Sequence, residues 1–235
     1  MRTSRRLADL SWTDARDLAL SGAMLAIPLG ATEQHGPHLP LTTDTDVAVA
    51  LCDELAETRF DVVVAPAVSY GSSGSHAGFA GTLTISEEAI ELLVTELGRS
   101  ACRTFAHVLF VSAHGGNVAP IARAVRKLRA ESWDARAFTP RRVDDDSHAG
   151  HTETALMLAI RPLSVRMHRA VGVSAEPVRQ TSHELRCASD VSTLSETGIV
   201  GDPVGATGLH GGLLLDCLVT ELTMDVAKWR GGRAA

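Results

Sequence analysis

The chain has 235 residues, of which 45% are hydrophobic and 21% are charged, a composition typical of a globular protein with a sizeable buried core. Its length suits one α/β domain and no linker or repeat divides it, so we expect a single domain over residues 1–235. The net charge of −6 argues against nucleic-acid binding, which needs a basic surface. No apolar run approaches the ~20 residues that cross a bilayer, and the N-terminus lacks the apolar segment of a secretory signal, so we expect a cytoplasmic protein.

Three short apolar segments predict the strands. They cover residues 24–29, 62–68 and 107–111, and each ends in sequence rich in glycine or serine. Segments of this length are too short for typical helices and are apolar throughout, which favours buried parallel strands.

Helical patterns alternate with these strands. Residues 86–104 carry apolar side chains at helical spacing, with Ser86 as the N-cap and glutamates in the first turn. Similar stripes predict helices around residues 47–55, 118–128, 152–160 and 214–226, whereas residues 172–208 are typical of irregular loop. The alternation indicates an α/β fold with helices on both sides of a parallel or mixed sheet, in which ligands bind beyond the carboxyl ends of the strands.

Metal-ligating residue types follow two of these strands. Glu33 and His35 come after the first strand and point to the same side if the backbone is extended. Asp44 can return to them after a proline-rich turn, and His114 follows the third strand. A single histidine at a strand end is more often structural, but two acids and two imidazoles at one sheet edge predict a metal site. Asp46 is open to either interpretation, because an acid near a helix start also favours the helix dipole.

A further carboxylate is predicted on the apolar face of a helix. Glu153 shares one face with Leu156, Met157 and Ile160, and no lysine or arginine lies on that stripe to pair with it. Since a buried carboxylate is costly unless it is paired or binds a metal, a ligand role explains this position better than a structural one.

Several motifs together resemble the creatininase family of metal-dependent amidohydrolases. Residues 30–44 resemble the opening motif of the family, and the likeness continues through residues 75–83, 114–117 and 148–154. Within the family, the resemblance is to the branch associated with mycofactocin biosynthesis, a peptidase that acts on the modified C-terminus of a small precursor peptide.

The resemblance implies a three-layer α/β/α sandwich with a mostly parallel sheet, a two-metal site and a homo-oligomer, often a hexamer. Mixed carboxylate and imidazole ligands suit Zn, Mn and Fe(II) alike, and the resemblance favours Zn or Fe(II) over Mn. The ligand roles fall on Glu33, His35, Asp44 and His114, with Asp44 bridging the two metals. Creatininase carries a glutamate where this chain has Gly116, so we expect Glu153 to supply the missing ligand.

These residues predict hydrolysis of an amide bond by metal-activated water. His148 is the predicted proton donor to the leaving nitrogen, with Glu153 beside it in the catalytic set, although a purely structural role for His148 stays open. The residues predicted to contact substrate are Ser75, His76, Gly115 and Gly116. The expected reaction removes the modified C-terminal dipeptide of the mycofactocin precursor peptide. The alternatives are hydrolysis of a small cyclic amide or formamide, such as creatinine or a formylaminopyrimidine, and a metal-binding scaffold without activity.

Overall fold

A computed structural model describes residues 5–140, 148–172 and 190–231. Within these residues, four parallel strands form one sheet: β1 (Met24–Leu29), β2 (Val62–Val64), β3 (Val108–Ser112) and β4 (Ala135–Phe138). Their order across the sheet is β2-β1-β3-β4. The predicted α/β class with a parallel central sheet is therefore confirmed.

The described helices surround this sheet. They are α1 (Trp12–Leu20), α2 (Thr43–Thr58), α3 (Glu87–Ala101), α4 (Val118–Ala130), α5 (His151–Ile160) and α6 (Gly208–Gly231). The start of α3 agrees with the prediction, since the Ser86 hydroxyl accepts a hydrogen bond from the Ala89 N–H. None of the helices in the described ranges is both long and apolar enough to cross a bilayer.

Two cores lie on opposite faces of the sheet because successive strand side chains alternate in direction. On one face, Met24 and Leu109 belong to a buried cluster with residues of α2, α5 and α6. On the other face, Leu25 and Phe110 belong to a cluster with residues of α3 and α4, and α1 packs at its margin. These two clusters give the three layers of an α/β/α sandwich.

The strands differ from the predicted segments at two places. The ladder of β2 ends at Val64, four residues early, because Pro66 has no N–H to donate; Ala65 and Val68 on either side of it still donate to β1 carbonyls. β4 was absent from the predicted strands. The charged Arg136 interrupts the apolar run that predicts a buried strand. In the fold, this side chain forms an ion pair with Asp225 of α6.

The strand order places the site. From β1 the chain continues to β2 on one side of the sheet, while β3 and β4 lie on the other, so the order changes direction between β1 and β3. Loops at such a point diverge and leave a crevice at the carboxyl ends of the strands. The loop after β1 carries residues 33–38, and the turn after β3 begins at His114.

Candidate metal centre

The four residues predicted as ligands from the strand ends lie together in one buried cluster. Asp44, in the first turn of α2, joins them through both carboxylate oxygens. Its Oδ1 is 3.4 Å from His35 Nε2, and its Oδ2 is 2.9 Å from His114 Nδ1. Glu33 Oε2 is 3.5 Å from His114 Nε2. Asp44 therefore faces two different imidazoles, as a carboxylate that bridges two metal ions would.

The start of α5 closes the cluster from another side. Glu153 Oε2 lies 3.7 Å from His35 Nε2 and accepts a hydrogen bond of 2.6 Å from the Ala149 N–H. Ala149 is fully buried with a φ of 53°, a left-handed conformation that is unusual for a residue with a Cβ. The backbone turn before α5 thus aims the Glu153 carboxylate at His35.

His148, just before α5, also faces the cluster. Its backbone N–H and carbonyl form paired hydrogen bonds of 2.9 and 2.8 Å with Val200, which anchor it. Its Nδ1 is 3.7 Å from Glu33 Oε1, and its ring centroid is 4.3 Å from that of His35. The structure therefore places the predicted proton donor beside the predicted ligands.

His76 is predicted to contact substrate, but the structure places its side chain beside a carboxylate of the cluster. It ends a short helical turn, Gly74–His76, and its buried Nε2 is 3.6 Å from Glu33 Oε1. Ser75 beside it is only partly buried. No spacing in the sequence links this loop to Glu33, so a histidine at ligand distance was not foreseen there.

Three overlapping groups in the described residues could each hold a cation. They are Glu33 with His76 and His148; His35 with His148 and Glu153; and Glu33 with His35 and Asp44, and the ligand atoms of each group lie within 4.8 Å of one another. Among the described side chains, Glu33 Oε2, His35 Nε2 and Asp44 Oδ2 are buried without a hydrogen-bond partner. A buried polar atom without a partner costs about 1–3 kcal/mol, and bound divalent cations would satisfy these atoms. The residues fit a metal.

The pKa values in the cluster also indicate a site that suits a cation. Burial opposes protonation of His35, but the carboxylates of Asp44, Glu153 and Glu33 together outweigh it and raise the pKa of His35 to about 10. Burial is likewise outweighed at His114, where Glu33 and Asp44 raise the pKa to about 9. Burial raises the pKa of Glu33, whereas for Asp44 the two imidazoles overcome burial and hold the pKa well below its usual value. The carboxylates thus stabilise buried positive charge, and a metal cation supplies such charge.

Three imidazoles are oriented as metal ligands. His35 Nδ1, His114 Nε2 and His148 Nε2 lie 3.2, 2.9 and 2.8 Å from backbone carbonyl oxygens. A carbonyl oxygen only accepts, so each of these nitrogens carries the proton, and the other nitrogen of the neutral ring has the lone pair. A backbone carbonyl behind the ring is a common support for a metal-binding histidine.

Gly116 approaches the neighbouring backbone as its place in the turn predicts. A Cβ atom at this position would lie 2.0 Å from the Ser72 carbonyl oxygen and 2.7 Å from His114 Nε2. At Gly115 the space that a Cβ would occupy is open. A glutamate at position 116, as in creatininase, therefore does not fit this backbone.

Asp46 has a different environment from Asp44, although both lie in the first turn of α2. Its carboxylate forms an ion pair of 2.8 Å with Arg161 and accepts a hydrogen bond from the Thr42 hydroxyl. These contacts favour a structural role for Asp46, which lies outside the three candidate groups.

Comparison with known protein families agrees with the fold and the cluster. The family model Creatininase, described as creatinine amidohydrolase, matches residues 8–226. The chain belongs to the creatininase family. It is accordingly an amidohydrolase, a hydrolase that acts on C–N bonds.

Several relatives are similar over most of the chain. The mycofactocin precursor peptide peptidase of Mycolicibacterium smegmatis is 41% identical over 230 residues, which cover 95% of this chain and 92% of that protein. A protein of the same name from Mycobacterium tuberculosis is 38% identical over 232 residues, with the same coverage of both chains. The creatinine amidohydrolase of Pseudomonas putida is 28% identical over 203 residues, which cover 73% of this chain and 77% of that protein.

Solved structures share the fold. A crystal structure of creatininase matches with a TM-score of 0.79 at 22% identity, covering 96% of this chain and 98% of the other. Two further creatininase structures with the same coverage are described as a Zn-Zn type, TM-score 0.78, and as creatininase Mn, TM-score 0.79.

Proposed function

We propose that the chain is a metal-dependent peptidase that removes the modified C-terminal dipeptide of a mycofactocin precursor peptide. The observation that carries this proposal is the 41% identity, over 95% of the chain, with a relative named for that activity. The relative named for creatinine hydrolysis is 28% identical over 73% of the chain. The buried carboxylate and histidine cluster supports the metal dependence.

The ligand set that we propose for two divalent ions consists of Glu33, His35, Asp44, His114 and Glu153. Asp44 would contact both ions, since its two oxygens face His35 and His114 separately. Glu153 takes the role that a glutamate near position 116 has in creatininase, because Gly116 leaves no space for a side chain. Zn or Fe(II) is our proposed metal, with Mn as the alternative, since all three accept carboxylate and imidazole ligands.

When bound, the ions would lower the pKa of a water molecule and polarise the carbonyl of the amide to be cleaved. We propose that His148 accepts at Nδ1 the proton that this water releases and passes it to the leaving nitrogen, which departs as an amine. The contact of His148 Nε2 with the Gln34 carbonyl holds the ring in the orientation for this transfer. Glu153, which approaches His35 from the same turn, keeps the ligands and His148 in one arrangement.

The substrate contacts in this proposal come from two turns beside the cluster. Ser75 and His76 belong to the turn after β2, and Gly115 and Gly116 follow β3. The open space at Gly115 suits the approach of a peptide backbone to the main chain.

Product analysis by mass spectrometry tests the substrate. The metal-loaded protein is incubated separately with the modified precursor peptide, creatinine and a formylaminopyrimidine. Release of a C-terminal dipeptide from the peptide alone is the expected result. Turnover of the small amides alone would overturn the peptidase proposal in favour of the alternative, and no turnover at full metal content would support a scaffold instead.

We also propose that the protein is cytoplasmic, that residues 1–235 form one domain, and that the chain assembles as a homo-oligomer, with a hexamer as the expected form. Light scattering coupled to size-exclusion chromatography measures that assembly directly. A monomer at micromolar concentration would contradict it.

A further inference from the structure

The buried Gln34 side chain lies between two histidines of the cluster and contacts both. Its Nε2 is 2.8 Å from His76 Nδ1 and 3.1 Å from His148 Nε2. It also donates a hydrogen bond of 3.1 Å to the Gly198 carbonyl, while Oε1 accepts one of 2.9 Å from the Gly36 N–H. The proposed activity uses the main-chain carbonyl of Gln34 but gives its side chain no role.

The backbone contacts determine which way the amide points. The Gly36 N–H can only donate and the Gly198 carbonyl can only accept, so Oε1 and Nε2 cannot be exchanged without losing both hydrogen bonds. Gly198 also lies directly against the amide. A Cβ atom there would come within 2.0 Å of Gln34 Oε1, and its φ of 77° suits glycine.

This orientation assigns the protons of both imidazoles. One Nε2 hydrogen of Gln34 goes to Gly198. His148 Nε2 cannot accept the other, because it donates its own proton to the Gln34 main-chain carbonyl. The second hydrogen therefore goes to His76 Nδ1, which accepts it and carries no proton. The proton of a neutral His76 ring is then on Nε2, which faces Glu33 Oε1 at 3.6 Å. His148 has the opposite arrangement, because its Nε2 donates to the Gln34 main-chain carbonyl at 2.8 Å.

We propose that Gln34 is a positioning residue that holds His76 and His148 in opposite tautomers, so that His76 cannot bind a metal through Nε2 and His148 can accept a proton at Nδ1. His148 presents the lone pair of Nδ1 to the cluster, whereas His76 presents an N–H. This inference rests on the metal site of the proposed function, and it excludes the group of Glu33, His76 and His148 from the three candidates. His76 instead donates towards Glu33 in the free enzyme and towards a carbonyl oxygen when substrate is bound.

Nuclear magnetic resonance of the folded full chain tests this assignment without substrate. Histidine labelled at both ring nitrogens is incorporated, and the protein is loaded with the NMR-active isotope of cadmium, whose couplings to nitrogen identify bound rings. We expect cadmium couplings at His35 and His114, and for His76 the Nε2–H tautomer without a coupling. The signal that disappears in His76→Gln assigns the ring. A cadmium coupling at His76, or a proton on its Nδ1, would overturn the proposal.

The Gln34→Glu substitution tests whether the Gln34 amide sets the His76 tautomer. Glutamate keeps the shape of the glutamine side chain but replaces its N–H donor by an oxygen acceptor. The carboxylate oxygen facing His76 can only accept, so the proton should move to Nδ1 and the Nε2 lone pair should turn towards the cluster. We expect the His76 tautomer to reverse, a cadmium coupling to appear there, and kcat with the cleaved substrate to fall about 10- to 100-fold, as for other residues that support metal ligands. A folded variant with the original His76 tautomer would contradict the role of Gln34.

Two results separate this inference from the proposed function. If the peptide is not cleaved but the wild-type tautomers are as assigned, the substrate proposal fails and the role of Gln34 stands. If Gln34→Glu does not fold, the wild-type spectra still decide the tautomers. In addition, Gly198→Ala displaces the same amide without changing its chemistry and should partly release the His76 tautomer; an unchanged His76 spectrum in folded Gly198→Ala would count against the proposal.

Discussion

Histidines and carboxylates meet at both ends of β3, but the two clusters are built differently. At the amino end, His107 Nδ1 is 2.6 Å from Asp134 Oδ2, and Trp229 Nε1 donates to Asp134 Oδ1 at 3.0 Å. At the carboxyl end, His114 lies beside Asp44, whose Oδ2 is buried without a hydrogen-bond partner in the described part of the chain. Thus, Asp134 has a protein donor for each oxygen, while Asp44 Oδ2 has none among the described residues and a cation would satisfy it.

This difference teaches how a structural pair is distinguished from a ligand set. The residue types are the same at both ends, so composition alone does not separate them. The number of carboxylates around one imidazole does. Glu33, Asp44 and Glu153 all approach His35 within the candidate groups or ion pairs. His107 instead forms its ion pair with one carboxylate, that of Asp134. Several carboxylates around one buried imidazole are tolerated where metal ions balance their charge.

Substitution of Asp44, the proposed bridging carboxylate, should have the largest effect on the cluster at the carboxyl end of β3. In Asp44→Asn, we expect loss of bound metal and a decrease in activity of more than ~100-fold, since even residues that only support a ligand cost 10- to 100-fold. Metal content by mass spectrometry and peptide turnover are measured together. The matched control is Asp46→Asn, in the same helical turn but paired with Arg161, which should keep both. Equal metal content in the two variants would contradict the proposed site.

Substitution of His148, the proposed proton donor, should slow the reaction without removing the metal ions. We expect His148→Gln to retain the metals and to lower kcat by about 10²–10⁴-fold, the range for loss of a general acid or base. Metal content and single-turnover rates distinguish this outcome from a collapsed site. An unchanged kcat would reject His148 as the residue that protonates the leaving nitrogen.

Much of the candidate metal site could be predicted from the chain because several of its proposed ligands follow strands. Glu33, His35 and His114 come directly after apolar segments, and parallel strands bring their carboxyl ends to one edge. Glu153 could be found from the apolar face of its helix. Each of these predictions needed only local periodicity and the rule for parallel sheets.

The interior of the site depended on contacts that sequence spacing does not encode. His76 reaches Glu33 from a separate loop, and the carbonyl that Gln34 contacts belongs to Gly198, far along the chain. The chain between His76 and Gly198 includes residues 173–189, which lie outside the described residues. The acidic stretch at residues 144–146, for which we predict a solvated turn, also lies outside them. β4 was missed for a related reason, since Arg136 is accommodated by Asp225 on a distant helix.

A small substitution at Gly116 should lower the metal affinity by displacing the backbone carbonyl that contacts His114. In Gly116→Ala, the added methyl group would press on the Ser72 carbonyl, which accepts the hydrogen bond from His114 Nε2. We expect metal affinity to fall about 10-fold, at the lower end of the range for supporting groups. Gly115→Ala is the control, because its added methyl group enters open space. Titration with zinc in the presence of a competing chelator measures both affinities, and equal values would argue against the Ser72 contact as a support for His114.

The cluster at the amino end should respond in stability and leave the metal unchanged. Asp134→Ala removes the acceptor of both His107 and Trp229, and partly buried donors that lose their acceptor cost about 1–3 kcal/mol. We therefore expect a decrease of that size in the free energy of unfolding by urea, with metal content and kcat as in the wild type. We expect the lower end of this range, because His107 is partly exposed and water can replace one of the two lost contacts. A loss of metal in this variant would mean that the two ends of β3 are coupled through the strand, and the distinction between a complete pair and an incomplete ligand set would then fail.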